Sequence, residues 1–256
     1  MRATALHEDV VLVESVLWRT TCTLIRAGDE GFVIDSPILP DELELLPALA
    51  EQSGFPVSGV LATHADFDHL LGRLAFPDAA MAVCETTAAR LRAQPGAAQR
   101  ELRELDERFY LARPRPLSLG HVEALAAPGF CELGTHELEL HPADGHTTDG
   151  MAIWAPWLGL LVCGDYLSPI EIPTPAGGID AYLATLRRLE PLVEQATHVV
   201  VGHGGVLTSE RARSIMEEDR TYLAALRDAN AAAPLPPGRR DAEQRRLHVE
   251  NAARLV

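Results

Sequence analysis

No lysine occurs among the 256 residues, and all 22 basic side chains are arginine, set against 37 aspartates and glutamates. The absence excludes a Schiff-base lysine and a lysine clamp on a substrate carboxylate, so arginine has to do any such work. The formal charge of -15 argues against an unspecific hold on nucleic acid, which depends on clustered cations. No apolar run approaches the roughly 18 to 20 residues that span a bilayer. Met1 to Asp9 also lack the apolar core and cleavage site of a signal peptide, so a cytoplasmic address is expected. Cys22, Cys84, Cys131 and Cys163 are widely spaced with no C-x-x-C pair, which reads as four reduced thiols. A small-molecule substrate, with neither nucleic acid nor membrane as partner, is the expectation.

What is present is a chain 47% hydrophobic, long enough for one large domain. Alternating patterns predict strands at 10–16, 21–26 and 31–35, then a helix opened by Pro40 and Asp41 and running over 42–52. A short apolar strand at 57–63 follows, then a strand at 79–84, a helix at 86–92 and a solvent-facing helix within 97–111. The Pro- and Leu-rich stretch 113–128 gives no assignment. Strands are predicted at 137–141, 151–155, 158–163 and 198–201, with helices at 180–194 and 209–228. Two halves that each mix strands and helices predict a layered α/β protein. Residues 1–228 read as the catalytic domain and 229–256 as an Ala/Pro linker (230–238) and a charged terminal helix (239–255). That helix packs on the domain or on a second subunit, which leaves a homodimer open.

The chemistry is concentrated in Thr63-His64-Ala65-Asp66-Phe67-Asp68-His69. On an extended segment leaving a strand, residues i and i+2 project to one side, so His64 and Asp66 can share one metal. A turn after Asp66 would swing Asp68 and His69 toward a second. Four imidazole or carboxylate groups in six residues suit a divalent metal better than a core. Three further corners follow in order, Gly145-His146-Thr147, Gly164-Asp165 and Gly202-His203-Gly204, each a ligand-type residue beside a glycine after an apolar strand. Glycine allows the backbone to bend sharply and approach a metal closely.

This pattern resembles the metallo-β-lactamase-fold superfamily, with its T-H-x-H-x-D-H, G-H-T, G-D and G-H motifs, over roughly residues 10–225. The resemblance implies a four-layer αββα sandwich with the site at one edge of two sheets. It implies a first metal on His64, His146 and the residue at 66, a second on Asp68, His69 and His203, and Asp165 between them. The two divalent ions are expected to be zinc, with iron or manganese as the alternatives.

The chain departs from the pattern at Asp66, where the second histidine would stand. An Asp oxygen lies as many bonds from Cβ as a histidine Nδ1, so it can take the same place. The added negative charge weakens Lewis acidity and makes the site harder. On that argument alone, Asp66→His is expected to tighten zinc binding.

The expected activity is hydrolysis of a small ester, thioester, lactone or amide on the two-metal template. Asp68 would orient the attacking water, and Tyr166 is a candidate oxyanion donor whose other reading is a packed strand-end aromatic. Asp35, Thr63 and Thr147 are candidates to orient ligands. Trp18, Phe109, Tyr110 and Ile170 are placed by position at the pocket. Iron-dependent redox chemistry and a non-catalytic binding role are the competing readings.

Overall fold

In the computed structural model, which describes residues 1–254, the strands form two sheets. The first holds β1 (Arg2–His7), β2 (Val10–Glu14), β3 (Thr21–Ala27), β4 (Glu30–Asp35), β5 (Gly59–Ala62), β6 (Ala80–Cys84) and β7 (Val122–Leu125) side by side in chain order. β1 to β4 form an antiparallel meander, and β4 to β7 are parallel. Parallel neighbours need crossover connections. These are supplied by α1 (Pro40–Gln52), α2 (Gly72–Ala75), α3 (Glu85–Ala93) and α4 (Ala97–Phe109).

The second sheet holds β8 (Gly129–Leu133), β9 (His136–Pro142), β10 (Met151–Ala155), β11 (Leu160–Val162), β12 (His198–Val201) and β13 (Gly205–Leu207), in the order β13-β12-β11-β10-β9-β8. Its one parallel pair, β11 with β12, is bridged by α5 (Ile179–Gln195). The chain ends with α6 (Ser209–Ala229) and α7 (Ala242–Ala253).

Strand periodicity explains the layering. Successive residues point to opposite faces, so Val33 and Val60 pack outward with Leu43 and Leu46 of α1 and Leu102 and Leu105 of α4. Their neighbours Ile34 and Leu61 point inward and meet Leu140, Ile153, Leu160 and Val162 of the facing sheet. On the far side Leu161, Val199 and Val201 pack with Leu186, Leu189, Ile215 and Leu223 of α5 and α6. Three separate cores therefore fill the three gaps of an αββα sandwich, the architecture expected.

Several boundaries differ from the expectation. β2 stops at Glu14 rather than Val16, because Ser15 N bonds Thr20 O and the chain turns through Trp18 and Arg19, both at positive φ. β1, β8 and β13 were not foreseen. β1 and β8 end their sheets and are largely exposed, so they carry little apolar alternation, and β13 has three residues. β7 falls inside the unassigned stretch 113–128.

The last segment is built into the third core rather than hung from it. Ala233 and Ala252 are buried there with α5 and α6, and Arg239, just ahead of α7, is buried as well. The final residue of the predicted helix, Leu255, lies outside the described residues. All four cysteines are free. Among the described residues no helix is long and apolar enough to cross a membrane.

Candidate metal centre

Each predicted ligand leaves the end of a strand, or the connection that follows, on one edge of the sandwich. β5 ends at Ala62 and delivers Thr63 and His64. Asp66 then caps a 3-10 turn, Phe67–His69, that swings Asp68 and His69 inward. His146 lies between β9 and β10, Asp165 follows β11, and His203 follows β12. Gly202 makes the approach of the sheets possible: a Cβ there would collide with Asp165 Oδ1 and stand 3.0 Å from the His69 ring. No side chain fits, which is why glycine precedes His203.

The seven side chains converge. Asp165 Oδ2 lies 3.6 Å from His64 Nε2, 3.3 Å from His146 Nε2 and 3.5 Å from His203 Nε2, and its Oδ1 lies 3.2 Å from His69 Nε2. Asp66 Oδ2 faces His64 and His146 at 3.6 and 3.5 Å. Asp68 Oδ2 faces His203 and His69 at 3.3 and 3.7 Å. His64, Asp66 and His146 form one potential ligand set, Asp68, His69 and His203 another, and Asp165 joins His64 and His69 in a third.

The imidazoles are oriented from behind. His69 Nδ1 is 3.0 Å from Asp35 Oδ2, His64 Nδ1 is 3.1 Å from Thr63 Oγ1, and His203 Nδ1 is 3.1 Å from the Trp18 carbonyl. Asp35 also accepts from the Thr63 amide at 2.8 Å and from its hydroxyl at 2.9 Å. Those contacts over-determine a non-glycine residue held at φ +58. Nδ1 protons given to outer acceptors leave the Nε2 lone pairs of His69, His64 and His203 aimed at the centre.

A metal fits this arrangement on two observations. Buried His64 Nε2, His69 Nε2 and Asp165 Oδ1 have no hydrogen-bond partner, a costly state for three polar atoms facing one space. The donor spacings also match the edge of a tetrahedron, about 3.4 Å for ligands roughly 2.1 Å from zinc. Burial opposes the charged form of His69, but Asp165, Asp35 and Asp68 raise its pKa well above the ordinary value. His203 and His146 are also raised, the former by Asp165 and Glu171 and the latter by Asp66 and Asp165, both against burial. The neighbouring histidines in turn depress Asp165 and Asp66 despite their desolvation.

Tyr166 does not face this centre as an oxyanion donor would. Its ring is buried against Tyr182 with centroids 4.6 Å apart. Its hydroxyl accepts from the His146 backbone amide at 2.8 Å, and burial pushes its pKa up. The packed-aromatic reading fits the placement. Thr147 donates to Asp149 at 2.9 Å rather than to a ligand, and His141 pairs with Glu139 at 3.2 Å.

A cavity of about 430 Å³ next to Arg90 is lined by Ala65, Arg92, Gln99, Glu101 and His121 and by none of the seven candidate ligands, and Tyr110 lines a separate cavity with Gln99 and Leu102. Trp18 lies nearer the site and meets the Phe67 ring edge-on at 6.2 Å.

Arg90, Asp149 and Glu171 gave no signal in the sequence. Arg90 Nη2 donates to Asp66 Oδ1 at 2.7 Å and its Nη1 to Asp149 Oδ1 at 2.8 Å. Glu171 Oε1 stands 4.0 Å from His203 Nδ1, and burial raises its carboxyl pKa. No local motif marks an arginine 24 positions after its partner.

A four-layer sandwich with a His/Asp cluster at its strand ends is the architecture of a metal-dependent hydrolase fold. The chain belongs to the metallo-beta-lactamase superfamily, whose family model matches residues 16–203. Among solved structures it resembles the metallo-beta-lactamase family protein TTHA1429 from Thermus thermophilus, at 19% identity over 98% of this chain and 93% of that one, TM-score 0.69. It also resembles the inverting sec-alkylsulfatase Pisa1 from Pseudomonas sp., at 12% identity over 99% of this chain and 49% of that one, TM-score 0.71. A third resemblance is to TTHA1623 in a di-iron-bound form, at 22% identity over 79% and 96%, TM-score 0.60. Such identities carry the fold alone. Among curated proteins, none matches the sequence.

Proposed function

We propose that the protein is a binuclear metallohydrolase acting on a small ester, thioester, lactone or amide, with zinc as its metal. The reading rests on the orphaned, converging His64 Nε2, His69 Nε2 and Asp165 Oδ1. His64, Asp66 and His146 would hold one ion, Asp68, His69 and His203 the other, and Asp165 would serve both. Bound there, divalent metal supplies Lewis acidity toward a carbonyl oxygen and lowers the pKa of water toward neutrality. Asp68 turns Oδ2 toward His203 and His69, which leaves its second oxygen to orient the water and pass a proton to the leaving group. Asp35, Thr63 and the Trp18 carbonyl keep three imidazoles in the tautomer that the task needs. The cavity beside Arg90 and Glu101 would take the substrate.

Metal analysis of the purified protein, followed by reconstitution and a panel of esters, thioesters, lactones and amides, tests this reading. Two bound zinc ions and chelator-sensitive hydrolysis are expected. Asp68→Asn should lower kcat by at least about 100-fold, the scale of lost acid–base catalysis. Failure to hydrolyse any member of the panel at full zinc occupancy would remove the proposal.

One observation favours a second reading, iron-dependent redox chemistry. Asp66 places a third carboxylate in the cluster, a harder donor set than imidazole and better suited to iron. Iron retained through purification, with iron-dependent oxygen uptake, would select it.

A further inference from the structure

Position 66 is held from two sides. Asp66 Oδ2 faces His64 and His146 in the ligand set, while its Oδ1 accepts from Arg90 Nη2 at 2.7 Å. The arginine is itself fixed. Its Nη1 donates to Asp149 Oδ1 at 2.8 Å, and the Asp149 side chain is 1% exposed. That carboxylate further accepts from Ala65 N and Thr87 Oγ1 through Oδ2, both at 2.9 Å, and from Thr147 Oγ1 through Oδ1 at 2.9 Å. Asp149 is thus saturated by the segments around it and clamps the guanidinium over position 66. A planar guanidinium held at both ends has little freedom to turn away.

A carboxylate satisfies this geometry because it offers acceptors on both sides, one for the arginine and one for the metal. Imidazole does not. When one histidine nitrogen binds a metal, the other carries a proton and is a donor. At position 66 the ring would turn that N–H or a C–H, and no acceptor, toward the Arg90 N–H, next to a fixed positive charge. Arg90 also offsets, on the metal-facing carboxylate, the negative charge that Asp66 adds to the cluster.

Resting on the metal-centre reading above, we infer that Arg90 is the positioning residue that dictates a carboxylate ligand at position 66, so that Asp66 and Arg90 act as one unit. The expectation that Asp66→His alone tightens zinc binding is thereby reversed. Histidine there becomes favourable only once Arg90 has gone.

A double-mutant cycle on the full chain tests the pairing, with zinc affinities measured by competition with a chromophoric chelator. The four proteins are the wild type, Asp66→His, Arg90→Met and the double variant, with folding of each metal-free form checked by thermal unfolding. Asp66→His is expected to weaken zinc binding at least tenfold when Arg90 is present. In the Arg90→Met background it should be neutral or tighten binding, a coupling of about 1.4 kcal/mol or more. Arg90→Gln, which keeps an amide donor without the charge, serves if the methionine variant does not fold. It is expected to leave most of the penalty of histidine relieved. Equal effects of Asp66→His in both backgrounds would overturn the pairing while leaving the metal centre intact. A wild type that takes up no zinc would overturn the metal-centre reading itself.

Discussion

Arg239 and Asp219 meet at 2.6 Å with each side chain only 1% exposed. The arginine also donates to the carbonyls of Ser168 and Glu171 at 3.2 and 2.9 Å. Ser168 Oγ in turn donates to the carbonyl of His203, a candidate ligand, at 2.8 Å. Two more contacts follow along the C-terminal segment. Gln244 Oε1 accepts from Ile172 N at 2.8 Å, and Asn251 Nδ2 donates to Pro173 O at 2.7 Å. Residues 239–251 therefore hold the loop 168–173 that backs His203 and carries Glu171. Removing one partner of a buried ion pair typically costs about 3 to 5 kcal/mol. Arg239→Met is expected to lose that much at pH 8 in urea unfolding, and Arg239→Met with Asp219→Asn to recover most of it. Amide exchange should quicken over 168–173 in the single variant; protection equal to wild type would refute the anchoring role.

Asp219 also gives stability a pH dependence. Burial drives its carboxyl from the ordinary 3.8 up to about 7, against the pull of Arg239. The native state then binds this proton more tightly than the unfolded chain does. The stabilisation is fully present below about pH 4 and is lost as the pH rises through about 7. Urea unfolding at pH 5 and pH 8 should show a smaller loss across that interval for Asp219→Asn than for the wild type. An identical loss in the two proteins would contradict the assignment.

Metal uptake should release protons. The raised pKa values of His69, His146 and His203 in the metal-free cluster mean that metal competes with protons for the same nitrogens. Apparent zinc affinity is therefore expected to increase as pH rises through and above the ordinary histidine range. Titration calorimetry in buffers of different ionisation enthalpy measures the release directly. A proton count of zero at pH 7 would show that the imidazoles are already neutral.

Why the candidate ligands could be read from the sequence, and their supports could not, follows from where each kind of residue sits. His64, Asp66, Asp68 and His69 lie within one strand-to-turn corner, and His146, Asp165 and His203 each stand beside a glycine after an apolar strand. Local pattern suffices there. The Arg90 to Asp66 contact spans 24 positions and Arg90 to Asp149 spans 59, both made only when α3 docks beside β5 and the β9–β10 connection. On its own helix Arg90 looks like any solvated arginine. The strands missed are likewise those that the core does not pattern: largely exposed β1, β7 and β8, and three-residue β13.

Gly202 supplies a test of the cradle. A methyl group there would occupy the space of Asp165 Oδ1 and crowd the His69 ring, so either the carboxylate or the β12 end must shift. Gly202→Ala is expected to weaken metal binding by at least about 10- to 100-fold, the cost of disturbing groups that orient ligands. Chelator competition measures it. Unchanged affinity would mean that Asp165 does not need the position it holds against that glycine.

Tyr166 separates two roles by magnitude. As a donor to a developing oxyanion, its loss would lower kcat by about 10²- to 10³-fold. The hydroxyl instead accepts from the His146 amide at 2.8 Å inside a buried ring pair with Tyr182. Tyr166→Phe should therefore leave that amide without its acceptor and cost about 1 to 3 kcal/mol of stability. The kcat should stay within a few-fold of wild type, because the ring still fills its place behind His146. Any loss of activity should follow weaker metal retention and be restored by added zinc. A hundredfold fall in kcat at full metal occupancy would return Tyr166 to the catalytic machinery.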